Sequence, residues 1–427
     1  MILIYAHTSP KRLQYICKFI FKEQLGIAYS LTIDAESFKD HDGPKINYSN
    51  TKFDAAFNIT PHEILFEKNI KEQSIKCFEV NGHKAFFKNA TGDYPFDIFA
   101  AGFYLLSRYE EYLPHQKDIY NRYAHENSLA FKEGFLNIPL VNIWLLDLLK
   151  KLKTAFPTMA YQLPKFSFLP TYDIDIAWSY KHKGLFRNIG GFIKKPSLER
   201  LRVLTGFKKD PFNCYDYLDA LHKENNLEPI YFFLVATSKN NYDKNISPFA
   251  NAMWQLIRQH AKKYDIGLHP SWKSNDNAAL LKKERKIIED ASHVHVGKSR
   301  QHYIKFNLPD TMEKLVEAGI ENDYSMGYGS INGFRASVAS SFHWYDLKKE
   351  TISRLMMHPF CFMDANSYYE QKLNADDAYK EMIHYYEQCE KVDGTYITIF
   401  HNNFLGTDKQ FISWKEMYSH FISQLQR

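Results

Sequence analysis

Cysteine is scarce and unpatterned in this chain of 427 residues. The five present, Cys17, Cys77, Cys214, Cys361 and Cys389, have no C-x-x-C spacing and are odd in number, which argues against a disulfide framework and for reduced thiols. Long hydrophobic runs are missing too. The most apolar helical stretch, 138–149, is interrupted by Asn142 and Asp147, so no membrane span is expected. The first six residues read as a short apolar strand without the basic and long apolar regions of a leader, and a cytoplasmic location is the expectation. An excess of one charge is also absent: a net charge of +5 does not indicate a nucleic-acid partner. There are no internal repeats and no low-complexity tracts.

What is present is a globular composition, 45% hydrophobic and 24% charged, with ample material for a core. Aromatics are abundant, with 33 Phe and 29 Tyr, a stock that suits carbohydrate stacking but more commonly fills cores. The length exceeds one ordinary core, so two domains are expected, over 1–155 and 165–427, joined by a Pro-containing connection.

The first 155 residues alternate strands and helices: a strand at 2–6, an amphipathic helix at 11–23, and β-like runs at 53–59 and 74–80. Helical spacing recurs over 97–112, ending in Ser107-Arg108-Tyr109-Glu110-Glu111. That polar end suits an interface or a site, although a solvated helix end with ion pairs is the commoner outcome. A second helix, 138–152, carries Pro139 in its first turn and Lys150, Lys151 and Lys153 near its end.

From 165 onward the pattern becomes a sustained β/α alternation. Strands are expected at 166–175, 230–236, 265–269, 294–303, 323–326, 354–360 and 396–401, with helices at 249–264, 277–291, 311–318, 376–391 and 409–426. Seven strands with intervening helices imply a parallel α/β architecture, most economically a barrel. Chemistry in a barrel sits at the carboxyl ends of its strands. Those ends carry Asp173 and Asp175, His269, Arg300 and His302, His358, and His401. Any one histidine is more often structural than functional; their conjunction on one rim is the signal. One carboxylate and two imidazoles with an open position make a site for zinc or a similar divalent ion. A second carboxylate to accept a water proton and a further imidazole to protonate a leaving group complete the needs of amide or ester hydrolysis.

These residues also resemble a known family. Over 165–405 the chain is similar to the NodB-homology polysaccharide deacetylases, the family-4 carbohydrate esterases, which share a distorted seven-stranded (β/α) barrel. Thr171-Tyr172-Asp173-Ile174-Asp175 resembles the first motif, T-F-D-D, with Ile174 in the place of the second acid. Ile230-Tyr231-Phe232-Phe233-Leu234-Val235 matches the following strand. Gly267-Leu268-His269-Pro270-Ser271-Trp272-Lys273 supplies the first His of H-S/T-x-x-H, but Lys273 stands where the second should be. Arg300-Gln301-His302-Tyr303 is similar to R-x-P-Y, and Ile399-Phe400-His401 to L-x-H. The resemblance implies Asp173 as base, oriented by Arg300, with Asp175 and His269 as metal ligands and His401 as general acid; the reverse assignment of the two acids is the alternative. His302 replaces the missing imidazole if strand alternation sets it on the same face as Arg300. Tyr303 and Arg335, the latter in Gly333-Phe334-Arg335-Ala336-Ser337, are the expected substrate contacts, a surface ion pair being as good a reading of Arg335. His358 is a weaker rival for the acid.

The leading 155 residues resemble an N-terminal domain fused to deacetylase-like barrels, through Asp97-Ile98-Phe99-Ala100 and Leu106-Ser107-Arg108-Tyr109-Glu110-Glu111, with no activity implied. An insertion at 181–209, with nine Lys and Arg including Lys195 against Glu199 alone, reads as a solvated basic loop or a lid attracting an anionic or carrier-linked glycan. The functional expectation is a zinc-type, metal-dependent removal of an acetyl or related acyl group from a sugar or polysaccharide precursor. A deacetylase-like carbohydrate-binding or scaffold protein that has lost the metal is the alternative, and a glycoside hydrolase using Asp173 is a third reading that the spacing of the acids does not favour.

Overall fold

The computed structural model describes residues 1–194, 196–238 and 240–425. Lys195 of the basic insertion and residue 426, the expected end of the closing helix, lie outside the described residues.

The N-terminal stretch builds a four-stranded parallel sheet from β1 (Ile2–Tyr5), β2 (Tyr29–Thr32), β3 (Lys45–Asn47) and β4 (Phe57–Asn58), in the order β2-β1-β3-β4. β1 is apolar throughout because it is central and covered on both faces. A separate hairpin of β5 (Phe78–Val80) and β6 (His83–Ala85) turns at Asn81-Gly82, both with positive φ, the backbone such a two-residue turn requires. The helix Ile98–Leu106 is buried at all nine positions. Its N-cap, Asp97, accepts the Phe99 and Ala100 amides at 3.0 Å each and the Tyr48 hydroxyl at 2.6 Å, so the buried carboxylate is well supplied with donors.

The second sheet has nine strands: β7 (Ser167–Ile174), β8 (Ile230–Leu234), β9 (Asp265–His269), β10 (Lys298–Ser299), β11 (Asn322–Asp323), β12 (Phe342–Asp346), β13 (Thr351–Met357), β14 (Phe362–Met363) and β15 (Thr395–His401). Their order is β12-β13-β11-β10-β9-β8-β7-β15-β14, parallel except for β12 against β13. The α/β alternation expected from the sequence is present; the closed seven-stranded barrel is not. β14 is two residues long and, among the described residues, pairs with β15 alone, while the antiparallel β12 occupies the opposite edge. Between those edges the backbone bonds elsewhere: Gly333 N to Cys361 O (2.9 Å), Phe334 N to Leu136 O (2.8 Å) and Val141 N to Ser337 O (2.9 Å). The opening is thus tied to the N-terminal stretch rather than bridged by a strand.

One apolar core runs through both sheets. Polar anchors cross it as well. Tyr15 Oη donates to His343 O (2.8 Å), Asn142 Nδ2 donates to Ser340 Oγ (2.8 Å), and Glu111 grips Arg335 through both of its oxygens. The polar end of the 97–112 segment is therefore buried at a junction, not solvated.

Candidate metal centre

β7 brings the first residues into place. Thr171, Asp173 and Asp175 alternate along the chain and share a face. Asp173 lies opposite His401 in the pairing of β7 with β15, and His269 ends β9 opposite Leu234 of β8. Arg300 crosses beneath: its Nη1 donates to Thr171 Oγ1 (2.7 Å) and Asp173 Oδ1 (2.9 Å), its Nε donates to Tyr324 O (3.1 Å), and the guanidinium lies 4.5 Å from the Phe232 ring centre. Asp173 is thereby fixed in one orientation with its Oδ2 still open towards His269, 3.8 Å away.

The strand expected over 294–303 ends at Ser299. His302 instead opens a short turn, His302–Ile304, in which Tyr303 and Ile304 have φ of 60° and 52°. Left-handed backbone at Ile is costly, and such strain is held only where surrounding structure demands it. This turn, not strand alternation, is the setting of His302.

Three imidazoles converge on Asp175, and each is tied down at its other nitrogen. His269 Nδ1 donates to Arg300 O (2.6 Å) and its Nε2 lies 3.1 Å from Asp175 Oδ1. His302 Nδ1 donates to Asp243 Oδ1 (3.0 Å) and its Nε2 lies 3.4 Å from Asp175 Oδ2. His401 Nδ1 donates to Asp364 Oδ1 (2.7 Å), with Nε2 3.7 Å from Asp175 Oδ2. A ring that donates from Nδ1 presents a lone pair at Nε2 when neutral. Lone pairs aimed at a carboxylate repel unless a proton or a cation lies between them. His269 Nε2 and Asp175 Oδ1 are indeed buried atoms without a hydrogen-bond partner. Asp175, His269 and His302 offer three ligand atoms within 4.8 Å of one another. The residues therefore fit a divalent ion, with imidazoles braced by carboxylate and carbonyl acceptors as ligating histidines usually are. Asp175 keeps 25% of its side chain open to solvent, which leaves one side of the centre accessible.

The electrostatics agree. Burial opposes charge on His302, but Asp175 and Asp243 outweigh it and raise the imidazole to about 9. Burial is likewise outweighed at His401, chiefly by Asp364 and then by Asp175 and Asp173, raising it to about 10. Asp175 is held well below the usual carboxylate range, because the surrounding imidazoles overcome its desolvation. The cluster attracts positive charge.

Lys273 is exposed beside a short turn at Ser274–Asp276. His358 is engaged at both nitrogens, accepting from Ser341 Oγ (2.7 Å) and donating to Asn322 Oδ1 (2.9 Å), and burial lowers it to about 4. Arg335 makes its bonds away from the cluster, to both oxygens of Glu111 and to Gly327 O (3.0 Å), and is 1% exposed. Tyr303 is half-buried with its ring 4.7 Å from that of His302. It forms a wall with Tyr120, Tyr242 and Trp272, at ring separations of 5.3, 5.4 and 5.7 Å, and Tyr242 stacks on Trp272 at 3.7 Å. Sequence reasoning did not find Asp243 and Asp364, which brace two of the imidazoles. Asp364 has a signal in hindsight, an acid directly after a short apolar strand; Asp243 lies in a loop with none.

Residues 2–157 match the model of a family of unknown function (DUF7033). No curated protein matches the sequence. Among solved structures, a protein from Mycobacterium smegmatis assigned as a polysaccharide deacetylase aligns with a TM-score of 0.40 and 13% identity, covering 61% of this chain and 84% of that one. A CE4 family pseudoenzyme from Bacillus anthracis aligns with a TM-score of 0.32 and 10% identity, covering 61% of each chain. A polysaccharide deacetylase from Bacillus cereus aligns with a TM-score of 0.32 and 10% identity, covering 61% of this chain and 88% of that one.

Proposed function

We propose that the chain is a metal-dependent hydrolase that removes an acetyl or related acyl group from a carbohydrate. The observation that carries this reading is the convergence of Nε2 of His269, His302 and His401 on Asp175, each ring braced at Nδ1. Asp175, His269 and His302 would hold the ion, which by its nitrogen and oxygen donors suits zinc and supplies Lewis acidity towards an acyl carbonyl. Asp173, fixed by Arg300, accepts the proton of the attacking water. His401, fixed by Asp364, delivers a proton to the departing sugar nitrogen or oxygen as the acyl bond breaks. The partly exposed rings of Tyr120, Tyr242 and Tyr303, the last beside His302, suit sugar stacking and support a carbohydrate substrate.

The test is metal content of the zinc-loaded protein together with acetate release from a panel of acetylated sugars. Asp173→Asn is expected to retain zinc while acetate release falls by about 10²–10⁴-fold. Zinc bound without acetate released from any sugar would replace this reading with a carbohydrate-binding role, and failure to bind zinc would remove its foundation.

A further inference from the structure

Beyond Asp175 the chain leaves the end of β7 and forms two exposed helices before rejoining the sheet layer, Leu185–Lys194 and Leu198–Leu204. The excursion is clasped at its base. Asp210 accepts the amides of Ser179 (2.7 Å), Tyr180 and Lys181 (2.9 Å each) through its carboxylate, and Val203 is the buried anchor of the second helix.

The rest of the segment turns apolar side chains outward. With 3.6 residues per turn, Leu185, Phe186, Ile189 and Ile193 fall within one narrow stripe of their helix. Phe186 is 91% exposed and Ile193 74%. Leu198, at the start of the second helix, is 73% exposed, and Phe207, just beyond its end, is 87% exposed. Of the seventeen exposed large hydrophobic residues among those described, eight fall within 185–207. Scattered exposed apolar residues are ordinary, whereas a contiguous group marks a contact surface. The same segment is cationic: its described residues from 181 to 209 include eight Lys and Arg against one acid, Glu199. Lys194 and Arg202 are exposed without an ion-pair partner among the described residues.

We propose that this helical pair is a docking surface for an anionic lipid bilayer, with the apolar stripe inserted at headgroup level and the flanking cations against lipid phosphates. Amphipathic helices with apolar and basic faces bind bilayers in this way. A second copy of the chain fits less well, since a two-fold contact sets the same cationic surface against itself. An anionic glycan accounts for the cations but leaves the outward Phe and Leu side chains without a role. No helix among the described residues is long and apolar enough to cross a membrane, so the association is peripheral. Because the segment departs from the strand end that carries Asp175, docking brings the rim of the metal centre to the lipid surface. The inference rests on exposure and charge, independently of the chemistry proposed for that centre.

The experiment is flotation of the 427-residue chain with vesicles of phosphatidylcholine alone, or with one part phosphatidylglycerol to two parts phosphatidylcholine. The protein is expected to float with the anionic vesicles and not the neutral ones, and to be released by added salt. The variant Phe186→Ser/Ile193→Ser/Leu198→Ser, all exposed positions, should keep its melting temperature and reduce the bound fraction about tenfold or more. Lys194→Glu/Arg202→Glu should weaken binding to the anionic vesicles. Absence of binding to anionic vesicles at low salt would overturn the proposal, as would undiminished binding of the triple variant. A dimer in solution that the triple variant dissociates would assign the surface to a second copy instead.

Discussion

Glu111 and Asp175 are both carboxylates surrounded by groups that attract negative charge, but their surroundings are arranged differently. Glu111 is sealed from solvent, its oxygens taken by Arg335 at 2.8 and 2.6 Å and by Arg108 at 2.8 Å. Burial there works against ionisation, and the two guanidiniums overcome it and hold the carboxyl at about 2. Asp175 stays partly open and faces imidazoles whose N–H groups are committed elsewhere. One site is neutralised by charges within the chain. The other leaves buried donor atoms that a cation from outside can satisfy. A buried carboxylate with saturated oxygens reads as architecture, and one facing lone pairs reads as a binding site.

Three experiments test that contrast. His302→Ala should have the largest effect, abolishing zinc occupancy and with it the zinc-dependent rise in melting temperature; full occupancy in this variant would mean that Asp175 and His269 bind without it. Glu111→Ala strands two buried arginines and should lower unfolding free energy by about 3–5 kcal/mol while the zinc-dependent rise survives. A loss under about 1 kcal/mol would make the knot no more than a surface pair. Asp243→Asn should weaken zinc binding by about 10–100-fold, read by competition with a chromophoric chelator. Unaltered affinity would show that His302 needs no brace.

A separate effect, away from both carboxylates, is expected from mild acid. His222 and His260 are buried, and desolvation lowers both to about 4 from the ordinary imidazole value of 6.5. The unfolded chain then binds more protons than the folded one between those values, so stability falls as pH drops below 6.5 and the loss is complete near 4. Urea melts across this window should show lower midpoints. His222→Gln, which can still bond to the Tyr172 hydroxyl, should flatten the slope, and an unchanged slope would remove His222 from the account.

The parallel strands were legible because each is a short apolar run between helical patterns, as at Ile230–Leu234 and Thr395–His401. The edges were not. β14 is too short to show a period, and β12 turns antiparallel into β13, so counting parallel strands led to a barrel that the backbone does not close. At the centre, strand ends gave Asp173, His269 and His401 their places, but two features depended on the folded chain. The left-handed turn at Tyr303 and Ile304 cannot be read from Arg300-Gln301-His302, and no local motif distinguishes Asp243 from any other loop acid. Arg335 stood among plausible ligand contacts because nothing in sequence signals a partner 224 positions away.

The clasp at Asp210 gives the exposed helical pair a particular independence. One carboxylate receives three consecutive amides on the way out and the Phe212 amide on the way back, so both ends of the excursion are set by the same few bonds. Loop length weighs only logarithmically on stability once such ends are fixed. The segment is in effect a cassette: its length and its surface can change over evolutionary time while β7, and the aspartates it carries, keep their geometry.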